Sequence, residues 1–207
     1  MTEAETATPR ELLKARKQAQ VREEIVRVAA KLFAERGYRA VTIDDIANEL
    51  GFTKSAVYYY FGNKAQILWH IYEEIYDSYI SMVSEIRDAN LSPRDAMQRI
   101  IYQHVLWVIE RRDWTAIYFR EESELNEDQR GIIRRRKRDY DAIIEGIYAA
   151  GVKQKVFADI PPHIAVSGIL GMCNWLYLWF NDKGPVTPDE IAMHYVTLLA
   201  QGYERAT

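Results

Sequence analysis

The chain has 207 residues, a formal net charge of −3 at pH 7 and 48% hydrophobic residues, enough to bury a core in one or two domains. Its single cysteine, Cys173, excludes an intrachain disulfide framework and argues against a zinc site built on thiolates. The longest apolar run, residues 169–180, is too short to cross a membrane and is interrupted by Asn174. Residues 1–6 lack the features of a signal peptide, so we expect a cytoplasmic protein.

Basic residues are concentrated at the start of the chain. Residues 1–64 hold 11 Lys and Arg against 9 Asp and Glu, whereas the remaining 143 residues hold 16 against 21. We treat residues 1–19 as a basic N-terminal extension. The basic side chains of this lead-in and the residues after it are Arg10, Lys14, Arg16, Lys17, Arg22 and Arg27. They suit contact with a phosphate backbone or a neighbouring minor groove, and a solvated, disordered tail is the alternative.

The first helix of a compact unit is marked by its apolar spacing. Ile25, Ala29, Leu32 and Phe33 form a helical stripe, and Gly37 is placed to end the helix.

Residues 42–64 predict two short helices joined by a tight turn. Thr42 and Asp45 form a capping-box pattern at the start of a helix expected over residues 43–50. Ala47 is small enough for a close helix crossing, Gly51 tolerates the positive φ of the turn, and Val57 returns to the shared core. This spacing is typical of a helix-turn-helix.

The second helix of the motif carries the candidate DNA contacts. Thr53 caps it, Val57 and Phe61 should point inward, and the remaining side chains would meet base edges and phosphates in a major groove. Lys64, just beyond, is expected to contact a phosphate. The predicted DNA-binding residues are Thr42, Thr53, Lys54, Ser55, Ala56, Tyr58, Tyr59, Tyr60 and Lys64. A plain helical-hairpin core is the alternative, but it leaves three consecutive tyrosines unexplained.

Residues 22–68 resemble the DNA-binding domain of TetR-family transcriptional regulators. The likeness rests on the alanine-rich first helix, the Phe-Ala-x-x-Gly-Tyr ending, the turn glycine, a Tyr-x-x-Phe pair and the following Lys64. Tyr60 departs from it, since many members have His there, and operator preference is expected to differ accordingly. The resemblance implies an all-α protein with a three-helix DNA-binding domain at residues 20–66 and a helical-bundle domain at residues 67–207. That second domain would bind a small-molecule effector and form a homodimer, so that the protein represses at palindromic double-stranded DNA.

Gly, Pro and Asn residues divide the rest of the chain into further helices. We predict helices over residues 65–90, 93–111, 114–125, 127–150, 162–180 and 188–205. Gly151 is expected to close the fourth of these, and residues 152–160 to form a non-helical link. No alternating strand pattern or internal repeat competes with this assignment.

Two of these helices carry stripes suited to a dimer interface. Small residues at Ala165, Gly168 and Gly171 allow another helix to approach closely. The last helix offers a second stripe, formed by Ile191, Tyr195, Leu198 and Leu199 together with Gly202. Two such helices from each subunit would build a four-helix interface with a two-fold axis. Packing within one chain is the alternative for either stripe.

Aromatic and soft residues in the middle helices predict an apolar effector cavity with a few polar anchors. These residues are Tyr102, His104, Trp107, Trp114, Tyr118, Phe119, Met172, Asn174, Trp175 and Trp179. Ordinary core packing is the alternative for each of them.

A basic run suggests what the effector carries. Arg134 and Arg138 share one helix face, with Lys137 beside them, and this face could hold the phosphates of a coenzyme A thioester. The chain's ending also resembles, more loosely, TetR-type regulators of lipid and steroid breakdown that respond to acyl-CoA compounds. Those relatives often have Arg where Leu178 stands here. A solvated basic face is the alternative.

Ligands for enzymatic chemistry are missing from the sequence. His70, His104, His163 and His194 each have Ile rather than Glu three residues earlier, so the Glu-x-x-His pairs of a di-iron bundle are absent. There is no Ser-His-Asp or glycine-rich phosphate motif either. We therefore expect no enzyme, no metal site and no cofactor. A ligand-free architectural DNA-binding protein is the second hypothesis, and a helical-bundle enzyme the third.

Overall fold

The computed structural model describes residues 8–203, with side chains described as far as Ala200. Within these residues the chain is built from α-helices and one short 3-10 turn, and it forms no strand. The predicted all-α fold is therefore confirmed. The chain divides after Ile71 into two compact units. The acidic start at residues 1–6 and the predicted end of the last helix at residues 204 and 205 lie outside the described residues.

The N-terminal unit is a small bundle around one apolar core. It comprises α1 (Pro9–Arg36), α2 (Ile43–Leu50), α3 (Lys54–Tyr60) and the first part of α4 (Lys64–Asp88). α2 packs against both α1 and α3. Ile25, Ala29 and Phe33 of the predicted stripe are at most 1% exposed, as are Val57 and Phe61, so the expected inward direction of the last two is confirmed.

Helix α1 is longer than the apolar pattern indicated. The Thr8 side chain accepts from the Glu11 backbone N–H, and the Glu11 carboxylate accepts from the Thr8 backbone N–H at 2.8 Å. This capping box, with Pro9 in the first turn, starts the helix well before Ile25. Residues 9–20 are thus helical, which corrects the alternative of a disordered tail for this segment.

The C-terminal unit is a bundle centred on α5. Its helices are the remainder of α4, then α5 (Pro93–Glu110), α6 (Arg112–Arg120), α7 (Glu127–Lys153), α8 (Pro162–Asn174), α9 (Leu176–Trp179) and α10 (Pro188–Tyr203), with a 3-10 turn at Glu122–Glu124 between α6 and α7. α5 packs against α7, α8 and α10.

Three predicted helix ends are wrong. Gly151 does not close α7, because the helix continues to Lys153. Gly151 is buried against the Phe157 ring, which lies 2.1 Å from the position that a Cβ atom would take at residue 151. Its role is close packing rather than termination. The helix predicted over residues 162–180 breaks at Trp175, whose backbone N–H turns to the carbonyls of Gly171 and Cys173. The predicted helix over residues 114–125 is likewise α6 followed by the 3-10 turn.

Among the described residues, none of the helices combines the length and the apolar character needed to cross a bilayer.

Candidate functional site

The turn between α2 and α3 has the predicted geometry. Gly51 adopts φ 67° and ψ 25°, the left-handed conformation that a side chain disfavours. Thr42 and Asp45 form the expected capping box at the start of α2, and the Thr53 hydroxyl accepts from the Ala56 backbone N–H at 3.2 Å. Val57 is fully buried, which anchors α3 to the core of the N-terminal unit.

Opposite Val57, α3 presents an exposed polar and aromatic face. Tyr59 is 69% exposed and Tyr58 44%. Lys54 is half-exposed and pairs with Asp44 at 2.7 Å; this partner raises the pKa of Lys54, so its ammonium stays charged. The exposed members of the predicted DNA-binding set are Thr42, Thr53, Lys54, Ser55, Tyr58 and Tyr59, whereas Ala56, Tyr60 and Lys64 are intermediate. The arrangement thus offers hydroxyls and a cation on one short helix.

Lys64 makes contacts within the N-terminal unit that its spacing in the sequence did not indicate. Its ammonium donates to the backbone carbonyls of Tyr38 and Val41, both at 2.7 Å, and lies 4.2 Å from the centre of the Tyr38 ring. These contacts hold the start of α4 to the loop after α1. In this arrangement Lys64 braces the start of α4, and its predicted phosphate contact stays a prediction.

Two residues of α1 support the exposed face, and sequence reasoning did not assign them to it. Gln18 Nε2 donates to the Tyr59 hydroxyl at 3.1 Å, and Arg22 Nη1 donates to the Tyr60 carbonyl at 3.3 Å. The Arg22 guanidinium also lies 4.2 Å from the centre of the Phe61 ring. No local pattern could have indicated these contacts, because the partners are about 40 residues apart in the chain.

The C-terminal unit contains a cavity of about 370 Å³. Its wall comes from α4, α5, α6, α7, α8 and α9, and is mainly aromatic and aliphatic. The lining residues are Ile75, Tyr76, Tyr79, His104, Trp107, Thr115, Tyr118, Phe119, Lys137, Tyr140, Asp141, Ser167, Leu170, Gly171, Asn174, Trp175 and Tyr177. A volume of this size fits a small organic molecule.

A buried hydrogen-bonded chain crosses the cavity wall at His104. Its Nε2 lies 2.9 Å from Asn174 Oδ1, which only accepts, so Nε2 carries the proton. Nδ1 is then free to accept from the Tyr140 hydroxyl, also at 2.9 Å. Burial lowers the pKa of His104 to about 4, although the Asn174 hydrogen bond opposes that shift. The imidazole is therefore neutral near pH 7 and stacks on Tyr79 at 4.8 Å.

Phenols and one ion pair supply the rest of the cavity's polarity. Tyr76 donates to the Tyr118 hydroxyl at 3.0 Å, and burial raises the pKa of both phenols, which stay neutral. Lys137 Nζ lies 2.7 Å from Asp141 Oδ2. Partial burial is the largest single influence and lowers the pKa of Lys137, but the hydrogen bond and the negative charge of Asp141, with smaller charge effects, together raise it overall, so the ammonium stays charged. The lysine side chain is 54% exposed, so it stands at the rim.

Half of the predicted effector residues line this cavity: His104, Trp107, Tyr118, Phe119, Asn174 and Trp175. The others lie elsewhere. Tyr102 hydrogen-bonds Asp189, and Trp114 is buried beneath the Arg111 guanidinium at 4.8 Å. Arg134 pairs with Glu127 at 2.8 Å.

The remaining three predicted effector residues also lie away from the cavity lining. Arg138, Met172 and Trp179 are exposed. On this geometry the arginine face is solvated, and Lys137 is the only basic side chain among the lining residues of the cavity.

The two stripes predicted for a dimer interface are partly exposed. An ideal Cβ at Gly168 or Gly171 would meet nothing within 4 Å, so this face of α8 is open. In α10, Ile191 and Leu199 are buried while Leu198 is 58% exposed. The surroundings of Gly202 lie beyond the residues for which they are described. The exposed large apolar side chains of α8, α9 and α10 are Ile164, Met172, Trp175, Leu178, Trp179, Met193 and Leu198.

As for metals, no group of three or more His, Cys, Asp or Glu side chains in the described chain is arranged to hold an ion. Burial raises the pKa of the Cys173 thiol to about 12, so it is protonated and a poor metal ligand.

Sequence comparison places both units in one family. The model described as "Bacterial regulatory proteins, tetR family" matches residues 25–71, and that described as "Tetracyclin repressor-like, C-terminal domain" matches residues 90–203. The chain belongs to the TetR family. It is accordingly a DNA-binding transcriptional regulator of the repressor type, and not an enzyme.

Individual TetR-family members are similar over most of the chain. The HTH-type transcriptional repressor KstR2 of Rhodococcus jostii (strain RHA1) is 27% identical over 183 residues, which cover 87% of this chain and 90% of that one. A TetR/AcrR-family regulator from Thermobifida fusca YX-ER1 is 32% identical, with a TM-score of 0.70 over 90% of this chain and 100% of that one. AibR, solved with isovaleryl coenzyme A and operator DNA, is 25% identical, with a TM-score of 0.76 over 86% and 96%.

Proposed function

We propose that this TetR-family protein is a homodimeric repressor that binds a palindromic operator through α3 and is released by a small amphiphilic effector in the cavity of the C-terminal unit. The observation that carries the proposal is the course of α4. This helix begins at Lys64, directly after the recognition helix, and contributes Ile75, Tyr76 and Tyr79 to the cavity wall. A DNA-binding regulator acts where the DNA is, so we place the protein in the cytoplasm.

The cavity suits an effector with an apolar body and polar ends. Trp107, Phe119 and Tyr177 offer aromatic surface to the body. His104 already uses both ring nitrogens on protein partners, so an incoming polar group would meet it only by displacing Asn174 or Tyr140.

Lys137 gives the site a preference for an anionic group. Its ammonium stands at the rim and has one carboxylate partner, Asp141, which leaves two of its three donors for a ligand. Among amphiphilic metabolites, acyl-CoA thioesters fit this polarity: the acyl chain would occupy the cavity, and the phosphates would lie outside it beside Lys137. The complex of the relative AibR with isovaleryl coenzyme A supports this class. The arginine pair at Arg134 and Arg138 is not required.

The dimer is supported by exposed apolar surface on α8, α9 and α10. Trp175 is 61% exposed, and Leu198 and Met193 are more than half exposed. Large apolar side chains at this density usually mark an interface. A two-fold dimer would present two copies of α3 to successive major grooves, about 34 to 36 Å apart, which matches a palindromic operator.

Release would follow from differential affinity. The effector favours the conformation in which the cavity wall fits it best, and α4 links that wall covalently to the DNA-binding unit. A ligand that binds both conformations equally would shift nothing. Induction therefore requires that α4 differ between the effector-bound and the DNA-bound states.

Fluorescence anisotropy on duplexes from the region upstream of the protein's own gene tests the proposal. Acyl-CoA thioesters of increasing chain length, the matching free acids and free coenzyme A are added to the complex. We expect a thioester to release the DNA from the wild-type protein. The same thioester should release less DNA from the Lys137→Met variant. Arg134→Met removes the same charge one turn away, outside the cavity, and should respond as the wild type does.

The result also separates the alternatives. Release by the free acid as readily as by its thioester would overturn the coenzyme A assignment while preserving the cavity. The second alternative, a ligand-free architectural protein, predicts two results. No apolar metabolite would release the DNA, and none would change the temperature at which the protein unfolds.

A further inference from the structure

The first three turns of α1 carry a surface that the helix-turn-helix does not account for. Residues 9–21 hold four basic side chains and a single carboxylate, that of Glu11. Glu11 is engaged in the capping box with Thr8, where its pKa is lowered by those hydrogen bonds. Its carboxylate stays ionised there, but it is held by Thr8 and, in the part of the chain that the structure describes, forms no ion pair with the basic residues around it.

Three of the four basic residues share one side of the helix. Successive helical residues turn by about 100°, so Arg10, Lys14 and Lys17 fall within a sector roughly 60° wide, while Arg16 points to the far side. All four are exposed, and within residues 8–200 none of them pairs with a carboxylate. We call Arg10, Lys14 and Lys17 the basic stripe.

The basic stripe is continuous with the recognition helix. Lys14 stands one turn before Gln18, on the same side of α1, and Gln18 donates to the hydroxyl of Tyr59. Arg22, one turn further, donates to the Tyr60 carbonyl. By the same rotation Lys14 lies about 40° from Gln18, and Arg10 and Lys17 about 80° and 100° from it, so the stripe runs beside the face that contacts α3, along roughly 10 Å of helix axis.

We propose that the basic stripe of α1 is a second DNA-contact surface, which binds the phosphate backbone beside the groove occupied by α3. Duplex DNA is the partner that fits, because it carries closely spaced negative charges and is already held by the adjoining helix. Such contacts add affinity without reading base sequence. The inference rests on DNA binding by this family and assigns to α1 a role separate from recognition.

Salt dependence of DNA binding by the full-length protein tests the stripe. Each phosphate contact contributes about 0.9 to the slope of log K against log salt concentration. We expect Lys14→Gln to flatten the slope by about that amount per subunit, and the triple change at Arg10, Lys14 and Lys17 by about three times as much. Arg16→Gln removes the same charge from the opposite side of the helix and serves as the matched control.

Two probes separate this inference from operator recognition: a duplex from upstream of the gene and a scrambled duplex of equal length. Lys14→Gln should weaken binding to both duplexes alike, whereas Tyr59→Ala should reduce the preference for the upstream duplex. Equal affinity of the wild-type protein for both duplexes would contradict the recognition proposal. The slopes of log K against log salt concentration on the scrambled duplex would still decide the role of the stripe.

Equal slopes for the wild type, Lys14→Gln and the triple variant would overturn the inference. So would the same flattening in Arg16→Gln as in Lys14→Gln, because the effect would then reflect net charge rather than a stripe. Circular dichroism of each variant measures whether α1 remains helical, and a flattened slope supports the stripe only in a variant of wild-type helicity.

Discussion

The buried His104 gives the C-terminal unit a pH dependence whose size follows from its surroundings. The side chain is 1% exposed and lies between the Tyr140 hydroxyl and the Asn174 amide, neither of which ionises between pH 4 and 7. Burial lowers its pKa from 6.5 to about 4, opposed by the Asn174 hydrogen bond. The folded protein therefore resists protonation at a position where the unfolded chain accepts a proton.

The direction of the effect is set by that difference. Above pH 6.5 the imidazole is neutral in both states, and its contribution to stability is fully present. Between pH 6.5 and about 4 the unfolded state binds more protons, so the free energy of unfolding falls as the pH falls. A shift of this size corresponds to about 3 kcal/mol at about 1.4 kcal/mol per pKa unit.

Urea unfolding between pH 4 and 7.5, followed by tryptophan fluorescence, measures this loss. Four of the five tryptophans lie in the C-terminal unit, so the signal reports mainly on it. The change His104→Gln keeps a hydrogen-bonding side chain but removes the titration. On acidification the wild type should lose about 3 kcal/mol more of its free energy of unfolding than this variant does.

Carboxylates that titrate in the same range affect both proteins equally and cancel in the comparison. His163 is exposed, so His163→Gln serves as the matched substitution at a surface position. Parallel pH curves for the wild type and His104→Gln would refute the argument, because they would mean that the folded protein accommodates the charged imidazole.

Further predictions concern packing and buried hydrogen bonds. Gly151→Ala should destabilise the protein by about 1 to 3 kcal/mol in urea, because the new methyl group would overlap the Phe157 ring. Gly146→Ala in the same helix meets open space and should instead stabilise by about 0.5 to 1 kcal/mol; equal effects would contradict this account. Tyr72→Phe removes a hydroxyl that donates to the Ile117 carbonyl at 3.0 Å, and should lower the unfolding free energy by about 1 kcal/mol.

Local rules predicted the N-terminal unit because its determinants are local. The capping pairs at Thr42 and Thr53, the left-handed Gly51 and the inward Val57 each act within a few residues of their own position. Each constraint specifies backbone conformation directly, so spacing alone indicates the motif. The likeness to a known family then extended the prediction to the second unit.

Prediction was weaker in the C-terminal unit, where partners are distant in the chain. Aromatic clustering found six cavity residues, yet it missed Tyr76, Tyr79 and Tyr140, whose spacing is equally consistent with solid core. Arg134 belongs to the basic run of α7, but it lies outside the cavity lining and pairs with Glu127, which Arg130 shares. Lys137, in the same run, differs only because its helix turns it towards the cavity.

Lys64 shows that a motif can fix the position of a residue in the chain without indicating all of its contacts. Its position in the pattern is compatible with a phosphate, and the charge is retained, but the ammonium is surrounded by the carbonyls of Tyr38 and Val41 and by an aromatic ring. Two hydrogen bonds from the charged ammonium and a cation–π contact each favour its present position. Under the inference drawn above, cations without protein partners add to the electrostatic part of DNA binding. In the N-terminal unit these are found along α1, which is why the salt slope of Lys14→Gln discriminates between the two surfaces.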